Sequence, residues 1–190
     1  MKPCFTLIVT GIIFFYSCKQ KEEKTGEKFF PAISFIKGQV AAMDTSLYSI
    51  FKLDFTDSAR TDTSFIHREQ FREIAKDFLA VPDIASSKYE ERYKEEKLFD
   101  ETLNRVMLTY TPVNPEKEQL QRQEVLIKPD PSGDKVTNIF IETSVSTKDS
   151  AVQKKLFWKV DESFQVTTTR QLAGQPEKTT TYKVVWGENE

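Results

Sequence analysis

From Leu103 onward the apolar residues recur at every second position, an alternation that restricts the second half of the chain to β structure. Six runs carry it: RVMLTYTPV, RQEVLIK, KVTNIFIETSV, KKLFWKV, SFQVTTTRQL and EKTTTYKVVW. Between them stand Asn114-Pro115, Pro129-Asp130-Pro131-Ser132-Gly133-Asp134, Lys148-Asp149-Ser150, Asp161-Glu162 and Ala173-Gly174-Gln175-Pro176, all turn-forming residues. Connections this short join antiparallel neighbours, so the runs predict a meander. In the last three runs a turn at 161–163 sets Trp158 opposite Val166, and a turn at 173–176 sets Val166 opposite Tyr182 and Phe164 opposite Val184. One face then gathers Leu156, Trp158, Val160, Phe164, Val166, Tyr182, Val184 and Trp186. The other carries Lys159, Gln165, Thr167, Thr169, Thr181 and Lys183 and is expected to be wet.

Ahead of the meander the period lengthens. Ile33, Ile36, Val40 and Met43, following Pro31, predict a helix over 31–43. Phe71, Ile74, Ala75, Phe78 and Leu79 predict a second over 68–79, stopped by Val81-Pro82. His67 falls at its N-cap with Gln70 three residues on, and Ile66 and Phe71 are spaced as a hydrophobic staple, a structural role for the single histidine. A third, exposed helix is expected over 87–97, with Ser87 and Glu90 as a capping box. Residues 47–55 read as a strand with Leu47, Phe51, Leu53 and Phe55 on one face, and 57–62 as a polar turn. The expected fold class is therefore α+β: N-terminal helices packed on one face of a mostly antiparallel meander sheet of six to seven strands, forming a single domain over 31–190.

Composition removes several kinds of chemistry. The chain holds 29 acidic and 27 basic side chains, which gives no positive field for DNA or RNA, so no nucleic-acid partner is expected. Two cysteines, Cys4 and Cys18, and one histidine supply neither a zinc site nor a disulfide framework nor a conventional catalytic triad. With six glycines there is no phosphate-cradling loop. The Asp130–Asp134 loop places two carboxylates around a glycine but lacks the further acidic ligands of a calcium loop, and it reads as a turn. Asp54, Asp57, Glu101 and Glu142 are available carboxylates that nothing in one sequence ranks as acid or base, so no catalytic, cofactor-binding or metal residue is assigned. Phe35, Phe51, Phe55, Phe71, Phe78, Tyr110, Phe140, Trp158, Phe164, Tyr182 and Trp186 are expected to fill the core between sheet and helices. Any surplus would line a pocket for an apolar ligand on the concave side of the sheet.

The N-terminus has a different character. Lys2 precedes an apolar stretch, FTLIVTGIIFFY, which is too short to span a bilayer at about 20 residues per crossing. Ser17-Cys18 closes it, and the charged run Lys19-Gln20-Lys21-Glu22-Glu23-Lys24 follows at once. Residues 1–18 resemble a bacterial lipoprotein signal, with Phe15 and Tyr16 departing from the usual aliphatic and small residues as in relaxed Bacteroidota-type signals. The resemblance implies cleavage after residue 17, lipidation of Cys18, a charged tether over 18–30 and an outer-membrane location. Lys21-Glu22-Glu23 is similar to the short acidic signal that sends some such lipoproteins to the cell surface; the domain is expected to face the periplasm or the cell exterior. The implied partner is the membrane itself through the lipid anchor, with an envelope protein or an apolar ligand as a further partner. The expected function is a non-enzymatic binding or structural module of the cell envelope without cofactor. The alternative is a cone or half-barrel holding a hydrophobic or small-molecule ligand in its concave sheet face.

Overall fold

The computed structural model describes residues 28–57 and 60–187. Each of the six alternating runs is a strand: β4 (Arg105–Pro112), β5 (Leu120–Lys128), β6 (Lys135–Ser146), β7 (Ser150–Lys159), β8 (Ser163–Leu172) and β9 (Lys178–Val185). Three more join them, β1 (Ile50–Asp57), β2 (Arg60–Ile66) and β3 (Tyr93–Asp100). All nine pair antiparallel in one sheet of order β2-β1-β9-β8-β7-β6-β5-β4-β3. The first hairpin thus docks on the last strand.

The α+β expectation is overturned by this sheet. The protein is built on nine strands rather than six or seven, and its α-helices are short: α1 (Ala32–Met43), α2 (Phe71–Ile74) and α3 (Lys76–Leu79). Three local readings account for the difference. Residues expected as a polar turn at 57–62 mostly extend β1 and open β2, whose burial pattern is exposed at every position before Ile66. The helix expected at 87–97 shrinks to a single 3-10 turn, Ser87–Tyr89, and YKEEKLFD becomes strand β3. Its Glu and Lys residues favour helix only weakly, and pairing along the whole of β4, from Tyr93 opposite Pro112 to Asp100 opposite Arg105, outweighs that preference. The helix expected at 68–79 is divided into a 3-10 turn, α2 and α3, with Ala75 between the last two.

One face of the sheet holds the core. Trp158, Phe164, Val166, Leu156, Ile139, Ile141, Val125 and Tyr110 are buried there, in one cluster with Ile33, Ile36 and Val40 of α1 and with Phe71 and Phe78. The rings interlock: Trp158 stacks on Phe164 at 5.2 Å, and Phe78 meets both edge-on at 5.1 and 5.3 Å. The β8–β9 register is the expected one, Phe164 opposite Val184 and Val166 opposite Tyr182. The β7–β8 register differs by two residues, with Trp158 opposite Phe164 and Leu156 opposite Val166. The turn comprises Val160, Asp161 and Glu162 instead of 161–163, and Asp161 has the positive φ of 58° that lets so tight a reversal close. A shift of two preserves every residue's face. Thr167 and Lys183 accordingly lie on the side opposite the rings, half-buried rather than fully wet.

Candidate binding surface

The first strand is inverted relative to its own hydrophobicity. Its register against β9 sets Lys52 opposite Val184 and Asp54 opposite Tyr182, so Lys52 and Asp54 lie on the core side while Phe51, Leu53 and Phe55 point away from it. The polar pair survives there because it satisfies itself. Lys52 Nζ donates to both Asp54 oxygens at 2.6 and 2.8 Å and lies 5.0 Å over the Tyr182 ring, at the rim where the core meets solvent. Burial, then the nearby Asp77 and Asp54 carboxylates, raise the Tyr182 phenol above its ordinary value, and its hydroxyl donates to the Ile74 carbonyl at 3.0 Å.

The consequence on the far side is an aromatic surface with nothing over it among the described residues. Phe51 and Phe55 are 37% exposed and Phe65, opposite Phe51 on β2, is 57% exposed. Phe51 meets Phe65 edge-on at 5.9 Å, and Phe65 meets the His67 ring at 5.4 Å. Leu47 and Tyr48 extend the exposed apolar surface before β1 begins. Beside this patch β2 ends the sheet, leaving one row of its backbone groups without a strand partner. The opposite edge is built differently in its first half: β3 presents Lys94, Glu95, Glu96 and Lys97, all exposed, a charged run that discourages pairing, before the exposed Leu98 and Phe99.

The remaining expected features disperse. His67 precedes the 3-10 turn and its backbone N–H donates to Gln70 Oε1 at 3.2 Å, the capping geometry anticipated for it. Asp54 lies on the core side of β1, Glu142 on the outer side of β6 with Lys155 at 3.9 Å, and Glu101 in the β3–β4 turn, so these carboxylates form no pair; of Asp57 only its place at the end of β1 is described. Asp130 accepts from Ser132 Oγ and N and from Lys135 Nζ. Those bonds, the Ser132 hydroxyl first, lower its pKa to about 2. Of the anticipated core aromatics, Phe51, Phe55 and Phe140 are on the outer face instead. Cys18 lies outside the described residues, as do the rest of the expected signal and most of the expected tether.

Pockets among the described residues lie at turns and hairpin ends, one of about 390 Å3 over residues 114–117 and others of about 210 Å3 beside the β6–β7 and β8–β9 hairpins. The fold and this surface define a single-sheet antiparallel β protein with a filled core and an uncovered aromatic edge. Comparison with protein-family models, with curated proteins and with solved structures finds no match.

Proposed function

We propose that the protein is an outer-membrane lipoprotein, anchored through lipid on Cys18, whose folded domain is a non-enzymatic binding module of the cell envelope. The anchor is supported by the apolar stretch ending at Ser17-Cys18 and the abrupt charged run behind it. The observation that carries the binding role is the inversion of β1, which turns Phe51 and Phe55 outward next to the unpaired edge of β2. The occupant this edge suits is an extended segment of another envelope protein. Only a strand satisfies a row of backbone N–H and C=O groups in register while its side chains cover alternate aromatic positions. An apolar ligand in the concave face has less support, because Trp158, Phe164, Phe71, Phe78 and Trp186 occupy that space.

Cell fractionation of Cys18→Ala tests the anchor: release of the variant from the membrane fraction is expected, and an unchanged membrane fraction overturns it. A photo-crosslinker placed at Thr63 of β2 tests the edge. It should give a discrete protein adduct that Phe51→Lys with Phe65→Lys abolishes and that a crosslinker at Lys97 of β3 does not give. Equal labelling from both edges refutes the assignment.

A further inference from the structure

We propose that the β8–β9 hairpin carries a site for the phosphate group of a membrane headgroup or phosphate ester, formed by Arg170, Lys178, Thr168 and Thr180. Continuing the register of the hairpin beyond Val166 and Tyr182 sets Thr168 opposite Thr180 and Arg170 opposite Lys178, all on the core side of the sheet but past the end of the ring cluster. The four line a pocket of about 210 Å3. Two cations directly opposite one another on adjacent strands repel, and an anion between them relieves that repulsion. Neither forms an ion pair with a carboxylate among the described residues, and three carboxylates on or against this part of the sheet are engaged with other cations. Asp54 is held by Lys52, Asp62 by Arg60 at 3.1 Å, and Asp77 by Lys154 at 2.6 Å. The guanidinium, the ammonium and two hydroxyls are left as convergent donors, the set that binds a phosphate oxyanion.

The direction of the strands points to the source of that phosphate. β4, β6, β8 and β1 all run toward the end of the sheet that holds the β8–β9 turn. The described chain enters at the same end: Lys28 Nζ donates to the Glu90 carbonyl just before β3, and Phe30 N donates to the Tyr110 hydroxyl near the end of β4. Lys28 lies ten Cα–Cα steps after Cys18, a stretch that spans at most about 36 Å. A lipid on Cys18 therefore holds the point where the chain enters this end of the sheet within about 36 Å of the bilayer, which puts Arg170 and Lys178 on the end tethered to its phosphates. The choice of a membrane source rests on the anchor proposed above; the phosphate chemistry does not.

The test compares the full chain with Arg170→Gln/Lys178→Gln and with a control of equal charge change at the opposite end of the sheet, Arg105→Gln/Lys128→Gln. Binding is read as the ratio between vesicles of equimolar phosphatidylcholine and phosphatidic acid and vesicles of phosphatidylcholine alone, which cancels any insertion of the apolar N-terminus. At roughly 1 kcal/mol for each basic residue at an anionic surface, the hairpin variant should lower the ratio about thirtyfold and the control by much less. A second arm follows thermal unfolding in inorganic phosphate against chloride of matched ionic strength. A phosphate-specific rise in midpoint that the hairpin variant removes, without vesicle discrimination, supports the oxyanion site and assigns it to a soluble ester. Equal loss in both double variants, or no response in either arm, overturns the proposal. Failure of the anchor alone is read separately, from the fractionation of Cys18→Ala.

Discussion

Phe164→Ala is the substitution that most directly probes the filled core. Phe164 is fully buried and packs against five rings: Phe71 at 5.8 Å, Phe78 at 5.3 Å, Trp158 at 5.2 Å, Trp186 at 5.9 Å and Tyr182 at 6.3 Å. Removing a buried phenyl group costs about 3–5 kcal/mol from transfer and cavity together. Several edge-to-face and stacked pairs are lost with it, which places this site at the upper end, about 5 kcal/mol. Phe157, on the neighbouring strand and pointing the other way, is 38% exposed, and its truncation should cost about 1 kcal/mol. Urea unfolding followed by tryptophan fluorescence reads both, since the chain's two tryptophans, Trp158 and Trp186, lie in the cluster. The midpoint should fall far more for Phe164→Ala than for Phe157→Ala, at similar slope. Phe164→Leu, which retains most of the volume, keeps the comparison readable if the alanine variant fails to fold. Equal costs at 157 and 164, or less than about 2 kcal/mol at 164, would refute the assignment of the two faces.

Two further expectations follow from single side chains. Gln123 is fully buried between Tyr110 and Ile141 with neither end of its amide hydrogen-bonded, so Gln123→Leu should raise stability by about 1–3 kcal/mol in the same unfolding assay; a loss would show that the amide is paired. Asp130 has its pKa lowered from 3.8 to about 2, so its contribution to stability is present above the unfolded value and is lost as pH falls through about 2. Asp130→Asn should flatten the acid limb of a stability–pH curve over that interval, and an unchanged limb would assign it to other carboxylates.

The meander was legible because strand periodicity and turn residues agree over six successive runs, and because an even shift of register leaves each residue on its face, the placing of Trp158 and Phe164 was right although their pairing was not. β3 was hidden because an edge strand is charged for reasons of solubility, and YKEEKLFD then carries a helix-like composition. β2 was hidden because RTDTSFI buries only its last residue. The face of β1 was readable as apolar but not as outward, since its orientation comes from pairing with β9, more than a hundred residues away. For the phosphate site, the opposition of Arg170 and Lys178 was implicit in the correct β8–β9 register, but the engagement of Asp54, Asp62 and Asp77 elsewhere is visible only in three dimensions.

The sheet order has a consequence for the time course of folding. From β4 to β9 every strand pairs with its immediate predecessor, so each can add to the growing sheet as it emerges during synthesis. The β1–β2 hairpin is made first yet has its place beside β9, the last strand to appear. Until then the inner edge of β1 is uncovered as well as the edge of β2 and the outward phenylalanines, so the interval between completion of β2 and arrival of β9 is when this chain is most exposed to aggregation and most dependent on a chaperone. Loss of the final strand by truncation would leave that hairpin with no neighbour to close on, and the chain would remain in its vulnerable form.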